Sequence, residues 1–299
     1  MTEPTVRGRV IGAHGRHYSV ELSSGELKHC FPKGKRNEAA VGDWVQVQLQ
    51  GENEGHLAAI EPRQNLLYRS DEWRSKQFAA NVDQLFVVVA VKPTFSDDLL
   101  GRALTGAWAA DIEPVIVLNK TDITDGLAAA RDKLKPYKDL GVNIIEVSAL
   151  DADTVKKTLA PLLTHKTTLL LGQSAMGKST LLNALVPQAK ASTQEHSQAL
   201  DAGKHTTTTT HLYHLPAIDG DLIDSPGVQA FGLAHLGLQD IEHGFPEFAA
   251  HKVHCRFYNC SHRREPNCGV LDALARGEID ARRHALYLRL LDENANAKT

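Results

Sequence analysis

The sequence predicts a multi-domain α/β protein: an N-terminal β-barrel of the OB type over residues 1–66, a three-layer α/β domain over 67–233, and a small helical domain over 234–299. Three observations predict it. The first sixty residues hold short runs cut by glycines. The middle alternates continuous apolar runs with helical stretches. Beyond about Leu233 the strand signals stop and cysteine and histidine crowd together.

The barrel rests on Val6–Ile11, His17–Leu22, Leu27–Phe31, Trp44–Leu49 and His56–Ile60, punctuated by Gly12, Gly15, Gly25, Gly34, Gly42, Gly51 and Gly55. Five short strands with glycine turns suit a small closed barrel, because closure removes exposed edges. In the middle, Leu85–Val91 and Pro114–Leu118 are apolar throughout, as strands buried on both faces of a parallel sheet must be. Further strands fit Asn143–Val147, Thr167–Leu171 and Gly220–Ile223, with helical stretches at Leu99–Ala110 and Gly126–Leu140. Strands alternating with helices argue for a doubly covered sheet. Near the end, Leu238–His243 and Leu271–Leu291 read as helical.

With 42% hydrophobic and 23% charged residues in 299, the composition excludes a disordered chain. No run approaches the roughly 18 apolar residues that span a membrane, and MTEPTVRGRV lacks the apolar core of a signal peptide. A cytoplasmic protein with no membrane partner is expected, and nothing demands an oligomer, so a monomer is expected. The net charge of −3 does not mark a nucleic-acid binder. Locally, Lys33, Lys35 and Arg36 cluster, and Lys252, Arg256, Arg263 and Arg264 precede any acid in their stretch.

Gly172, Gln173, Ser174, Ala175, Met176, Gly177, Lys178 and Ser179 match GxxxxGK[ST], followed by Thr180, between an apolar run and a helical stretch. Glycines let successive backbone N–H groups turn around phosphates, and the helix N-terminus adds its positive dipole end. Lys178 is expected on the β/γ-phosphates and the Ser179 hydroxyl on Mg²⁺. Asn119, Lys120, Thr121 and Asp122 follow a buried strand. A carboxylate at Asp122 can accept both the ring N–H and the exocyclic amino group of guanine, a donor pair that adenine lacks. Ser148 and Ala149 end the next strand and suit a backbone contact to the guanine oxygen. Asp224 to Gly227 (DSPG) ends another strand. There Asp224 would hold Mg²⁺ through water, and the Gly227 N–H would sense the γ-phosphate. Between them, Gly203 to Thr208 offers a threonine that can bind Mg²⁺ only beside a γ-phosphate, as a switch loop does. Val228 cannot orient an attacking water as a glutamine would; His205, beside the threonines, is the candidate.

The order of these motifs is the informative part. Guanine-type motifs at 119–149 precede phosphate-type motifs at 172–227, the reverse of ordinary small GTPases, so the middle domain is expected to be a circularly permuted P-loop GTPase. Cys255, Cys260, His262 and Cys268 lie within fourteen residues, with His251 and His254 as rivals for the nitrogen position. Three thiolates and an imidazole suit structural, tetrahedral Zn²⁺.

With these motifs in this order, the chain resembles the RsgA (YjeQ/YloQ) family of small-ribosomal-subunit biogenesis GTPases. The resemblance runs over nearly the whole chain and is carried by NKTD before GQSAMGKST, then GKHTTTTTHLYHL, DSPGVQAFGL and CRFYNCSHRREPNC. It implies GTP hydrolysis to GDP and phosphate, stimulated by the small ribosomal subunit and its rRNA late in assembly. It also implies guanine contacts at Asn119, Lys120 and Asp122, Mg²⁺ at Ser179 and Thr207, a hydrolysis histidine at His205, and zinc on Cys255, Cys260, His262 and Cys268. The chain departs from the family pattern at Ala175, where glycine is usual, and at Lys204, Gln229 and Ala230. Two rival readings fit some of the motifs. One is an RNA-binding assembly module with GTP as a structural ligand, which would not turn GTP over. The other is a P-loop kinase or ATPase, which would have no use for Asp122.

Overall fold

A computed structural model describes residues 4–15, 17–32, 39–70, 75–187, 210–226, 232–233 and 235–296. Strands β1 (Thr5–His14), β2 (His17–Leu22), β3 (Leu27–Pro32), β4 (Trp44–Gln50) and β5 (Glu54–Ile60) close in the order β1-β2-β3-β5-β4-β1. Along β2 every second residue is buried, which marks the inward face. Val10, Val20, Val45, Val47 and Leu57 point inward with no exposed surface and centre a core of their own. A hairpin of β6 (Leu66–Ser70) and β7 (Ser75–Ala80) follows. No alternating or apolar run in the sequence announces it.

The α/β part has strand order β10-β9-β8-β11-β13-β12. It comprises β8 (Gln84–Ala90), β9 (Glu113–Asn119), β10 (Asn143–Glu146), β11 (Thr167–Gly172), β12 (His211–Leu215) and β13 (Gly220–Asp224). All pairs are parallel except β12 with β13. Every residue of β8 and β11 is buried, which explains their unbroken apolar character. Helices α1 (Asp97–Ala109), α2 (Leu127–Asp139), α3 (Ala152–Leu163) and α4 (Lys178–Leu185) connect the strands. No helix among the described residues is long and apolar enough to cross a membrane.

Barrel and sheet are continuous, since β1 also bridges β12 at Gly12 and His211. Charge reinforces the junction: Arg9 pairs with Asp221 and donates to Thr167 Oγ1 at 2.9 Å. His214 lies 2.6 Å from both Asp221 and Glu21. The Asp221 hydrogen bond, seconded by Glu21, raises His214 to about 9, so this bridge is charged at neutral pH.

The C-terminal part holds α5 (Leu238–His243), α6 (Ala249–Lys252), α7 (Gly269–Ala275) and α8 (Ala281–Asn296). Here one expectation is corrected. The single helical stretch Leu271–Leu291 is two helices, because Gly277 sits at φ +75° and its N–H closes a turn onto Leu274. Helix α8 packs along α1, joined by Arg289–Asp98 and Arg102–Glu293, both at 2.6 Å. Buried Arg283 bonds Glu247 at 2.7 Å and Thr105 at 3.3 Å and covers the Phe245 ring.

Candidate functional site

A parallel sheet delivers its loops to one edge, at the carboxyl ends of its strands. Here β9 ends on Asn119, β10 leads to Ser148 and Ala149, β11 opens the phosphate-type loop, and β13 ends on Asp224. Motifs far apart in sequence therefore meet. In the loop, Ala175 and Gly177 both hold left-handed backbone, at φ +68° and +85°. At Gly177 the conformation and the surroundings demand the same residue, since a Cβ there would run into the Asn119 side-chain amide. Ala175 adopts the same region with a Cβ, at a local cost of about 1–2 kcal/mol. Helix α4 starts immediately after, with Gly177 as its N-cap, and Ser179 and Thr180 lie exposed in its first turn.

Asn119 is the keystone of this face. It is 1% exposed. Its Nδ2 donates to the Met176 carbonyl at 2.9 Å and its Oδ1 accepts from the Ala149 N–H at 2.9 Å. One side chain thus clamps three loops that the sequence presents as separate motifs. Sequence reading placed Asn119 among the nucleotide-contacting residues; the geometry directs both of its polar atoms at the protein. Lys120, itself at φ +61°, spans from its own loop to the carbonyls of Lys92 and Ala175, at 2.9 and 2.8 Å. Asp122 is exposed, and the Ser148 hydroxyl donates to its Oδ1 at 2.6 Å, fixing the carboxylate's orientation. The Thr121 N–H bonds the Val147 carbonyl at 3.2 Å.

Sequence reading missed a further tie. The Ser96 N–H donates to Gln173 Oε1 at 2.7 Å, and the Ser96 hydroxyl caps α1 by accepting from the Leu99 N–H. The run Ser-Asp-Asp ahead of a helical stretch carries the capping signal, but no sequence signal links it to Gln173.

Lys178 is buried, and its ammonium donates to Asp224 Oδ1 at 3.0 Å and to the Ser225 carbonyl. The Ser225 hydroxyl in turn donates to the Leu170 carbonyl at 2.7 Å. Asp224, aligned with Leu170 in the sheet register, and the exposed hydroxyl of Ser179 are oxygen donors of the type that Mg²⁺ takes. His205, Thr207 and Gly227 lie outside the described residues, as do Lys204, Val228, Gln229 and Ala230. A cavity of about 390 Å³ between β6, the end of α1 and the residues Leu233, His235, Leu236 and Asp240 is lined by none of the expected site residues.

The second cluster is local. The ligand atoms of Cys255, Cys260, His262 and Cys268 all lie within 4.8 Å of one another. Cys255 Sγ stands 3.8 Å from Cys268 Sγ and 3.6 Å from His262 Nδ1, which is 3.3 Å from Cys268 Sγ. A tetrahedral centre with Zn–S near 2.3 Å and Zn–N near 2.05 Å has edges of about 3.8 and 3.6 Å, so the donor set fits a closed tetrahedral cation. The rival His251 faces Glu278 instead, at 3.7 Å. Cys30 is buried in the barrel, apart from the cluster. Burial pushes the Cys260 thiol up to about 12, an unfavourable setting for a free thiolate that a bound cation reverses.

Comparison with known proteins agrees with this geometry. The RsgA GTPase family matches residues 60–234. A protein of Bordetella pertussis named "Small ribosomal subunit biogenesis GTPase RsgA" is 64% identical over 298 residues, covering 100% of this chain and 99% of that one. A protein of Burkholderia pseudomallei with the same name is 53% identical over 96% of this chain and 92% of its own. Among solved structures, YjeQ from Thermotoga maritima superposes with a TM-score of 0.73 at 29% identity over 97% of this chain and 99% of its own. YloQ, described as a circularly permuted GTPase, gives a TM-score of 0.71 at 27% identity over 99% of this chain and 96% of its own.

Proposed function

The chain belongs to the RsgA GTPase family, and from that membership we propose that it hydrolyses GTP to GDP and phosphate on the small ribosomal subunit, late in that particle's maturation. The observation that carries the nucleotide reading is the Asn119 clamp, which holds the guanine-type loops and the phosphate-type loop in one rigid frame. In that frame Asp122, steadied by Ser148, accepts the two guanine donors, and the loop of Ser148 and Ala149, tied to Asn119 through the Ala149 N–H, borders the guanine. Residues 172–180 cradle the phosphates. Lys178 exchanges its bond to Asp224 for the β/γ-phosphates, which frees a carboxylate at the strand end. Ser179, Thr207 and, through water, Asp224 would hold Mg²⁺, which would offset the charge that gathers on the transferring phosphoryl group. His205 orients the attacking water in place of the glutamine that Val228 displaces, and the Gly227 N–H reports the γ-phosphate.

The cation in the Cys₃His cluster is taken to be Zn²⁺ in a structural role. Residues 1–66, 67–233 and 234–299 are taken as the domain limits, in a cytoplasmic monomer. Contact with rRNA is supported by two exposed aromatic surfaces. On the barrel, half-buried His17 lies between the exposed rings of His29 and Phe31, at 6.0 and 6.2 Å, and Phe31 meets half-buried His56 at 6.3 Å. On the metal loop, Arg256 covers Phe257 beside the fully exposed Tyr258. Unpaired bases stack on such surfaces.

The test is GTP turnover by the purified protein with and without isolated small subunits, alongside His205→Ala and Asp122→Asn. Subunits should raise turnover at least about tenfold, equivalent to about 1.4 kcal/mol off the barrier, and His205→Ala should lose that rise. Asp122→Asn should shift preference from guanine toward xanthine nucleotides. GTP bound but never consumed would leave an RNA-binding assembly module with GTP as a structural ligand, and equal competition by ATP would end the guanine assignment.

A further inference from the structure

The C-terminal cluster carries one relation that its four ligands do not explain. The His262 ring is 2% exposed and turns Nδ1 toward Cys268 and Cys255. An imidazole that ligates through Nδ1 must carry its proton on Nε2. That Nε2 is buried with no hydrogen-bond partner at ordinary distance, and the carboxylate facing it is Glu242, whose Oε2 lies 3.6 Å away. The other Glu242 oxygen accepts from Lys252 at 2.7 Å, so the carboxylate is already pinned from behind. The ring is boxed by Phe248, edge-on at 5.7 Å, and by Tyr287 at 6.1 Å. Its backbone is held too, with φ +57° and the His262 carbonyl accepting from His284 at 2.9 Å.

We infer that Glu242 is the positioning carboxylate of the metal centre, accepting the Nε2 proton of His262 and so fixing the tautomer that ligates. Closure by about 0.7 Å brings the pair to an ordinary N–H···O distance near 2.9 Å. Metal-ligating histidines recurrently hand their second N–H to such a carboxylate, which orients the ring and raises its basicity. This rests on reading the Cys₃His cluster as a metal site. It also gives the centre a reach that its own loop lacks. Glu242 belongs to α5, which is seated on the GTPase domain by buried Ile241 and by His243 at 2.9 Å from Asp111. The cation thereby organises both the loop 255–268 and the helix that leads out of the nucleotide domain.

The experiment measures Zn²⁺ affinity of the full-length protein by chelator competition, and the absorption bands of the Co²⁺-substituted form. Glu242→Gln keeps the shape and should bind one Zn²⁺ per chain 10–100-fold more weakly, with displaced Co²⁺ bands. In a His262→Cys background, which has no imidazole to orient, the same substitution should change affinity less than about twofold. An unaltered affinity in the His262 protein, or an equal loss in both backgrounds, overturns the inference. Zinc-loaded wild-type protein supplies a check that needs no variant: nuclear magnetic resonance should find a slowly exchanging proton on His262 Nε2, and a metallated Nε2 with the proton on Nδ1 overturns it. Wild-type protein that takes up neither Zn²⁺ nor Co²⁺ would defeat the metal reading itself, an outcome distinct from either failure of Glu242.

Discussion

The two sites of this chain are built on opposite plans. The proposed nucleotide face gathers residues from positions 119 to 224, brought together by strand pairs such as Val88 with Gly172 and Leu170 with Asp224. The proposed metal centre would draw its four ligands from positions 255–268, with little regular structure between them. The first geometry is written in strand order within a sheet, so it survives a change in the order of the chain. The second is written in spacing along one loop and would not. The RsgA GTPase arrangement of guanine-type motifs ahead of phosphate-type motifs is possible for that reason. Cutting and rejoining connections leaves the register of parallel strands untouched, and with it every contact of Asn119.

The difference predicts where damage travels. The largest effect should come from the metal centre. Cys268→Ser, or chelation of the cation, removes a structural contribution on the order of 10 kcal/mol in small metal domains. Circular dichroism should show the C-terminal helices melting well before the rest, while affinity for GDP changes less than about threefold. A tenfold loss of GDP affinity would break the comparison, because the sheet would then depend on the metal domain.

Asn119→Ala is next. It strips partners from two buried backbone groups, the Met176 carbonyl and the Ala149 N–H, and an orphaned buried group costs about 1–3 kcal/mol. Thermal melting should report a loss of about 2–6 kcal/mol, with nucleotide affinity down at least about 100-fold and zinc content unchanged. Retained nucleotide affinity would show that the loops hold their places without the clamp.

The smallest effect sharpens the picture of the phosphate loop. Ala175→Gly relieves the left-handed strain at φ +68°, worth about 1–2 kcal/mol, against about 0.4–1 kcal/mol of added freedom in the unfolded chain. A net gain of about 0.5–1 kcal/mol in denaturant unfolding is expected. A net loss would mean that Lys120, which bonds the Ala175 carbonyl, already compensates the strain.

Much of this was legible in the sequence. The barrel strands showed because glycines separate short alternating runs, and the central strands because burial on both faces leaves no polar residue to interrupt them. Strand β12 did not show. His211–Leu215 is short, partly polar and half-buried, and it is placed by antiparallel pairing with β13 rather than by its own pattern. The β6–β7 hairpin was hidden for a similar reason, and the break at Gly277 was lost because helical periodicity runs on either side of it. At the site, motif spacing identified which residues assemble but not how they are held. The turn of Asn119 toward Met176 and Ala149, the hold of Gln173 on Ser96, and the approach of Glu242 to His262 are long-range contacts that no local pattern encodes.

The order of strands also sets a timetable. During synthesis β8, β9 and β10, carrying Asn119 and Asp122, are complete by Glu146, yet β8 pairs on its other side with β11, 84 positions away between Leu85 and Leu169. Asp224 emerges 78 residues after Glu146, a delay of about 4–16 s at about 5–20 residues per second. For that interval the growing chain holds half a nucleotide site with one flank of its central sheet uncovered. GTP or GDP cannot steady the domain by binding until roughly three quarters of the chain has been made, so the ligand enters late in the folding of that domain and not as its template.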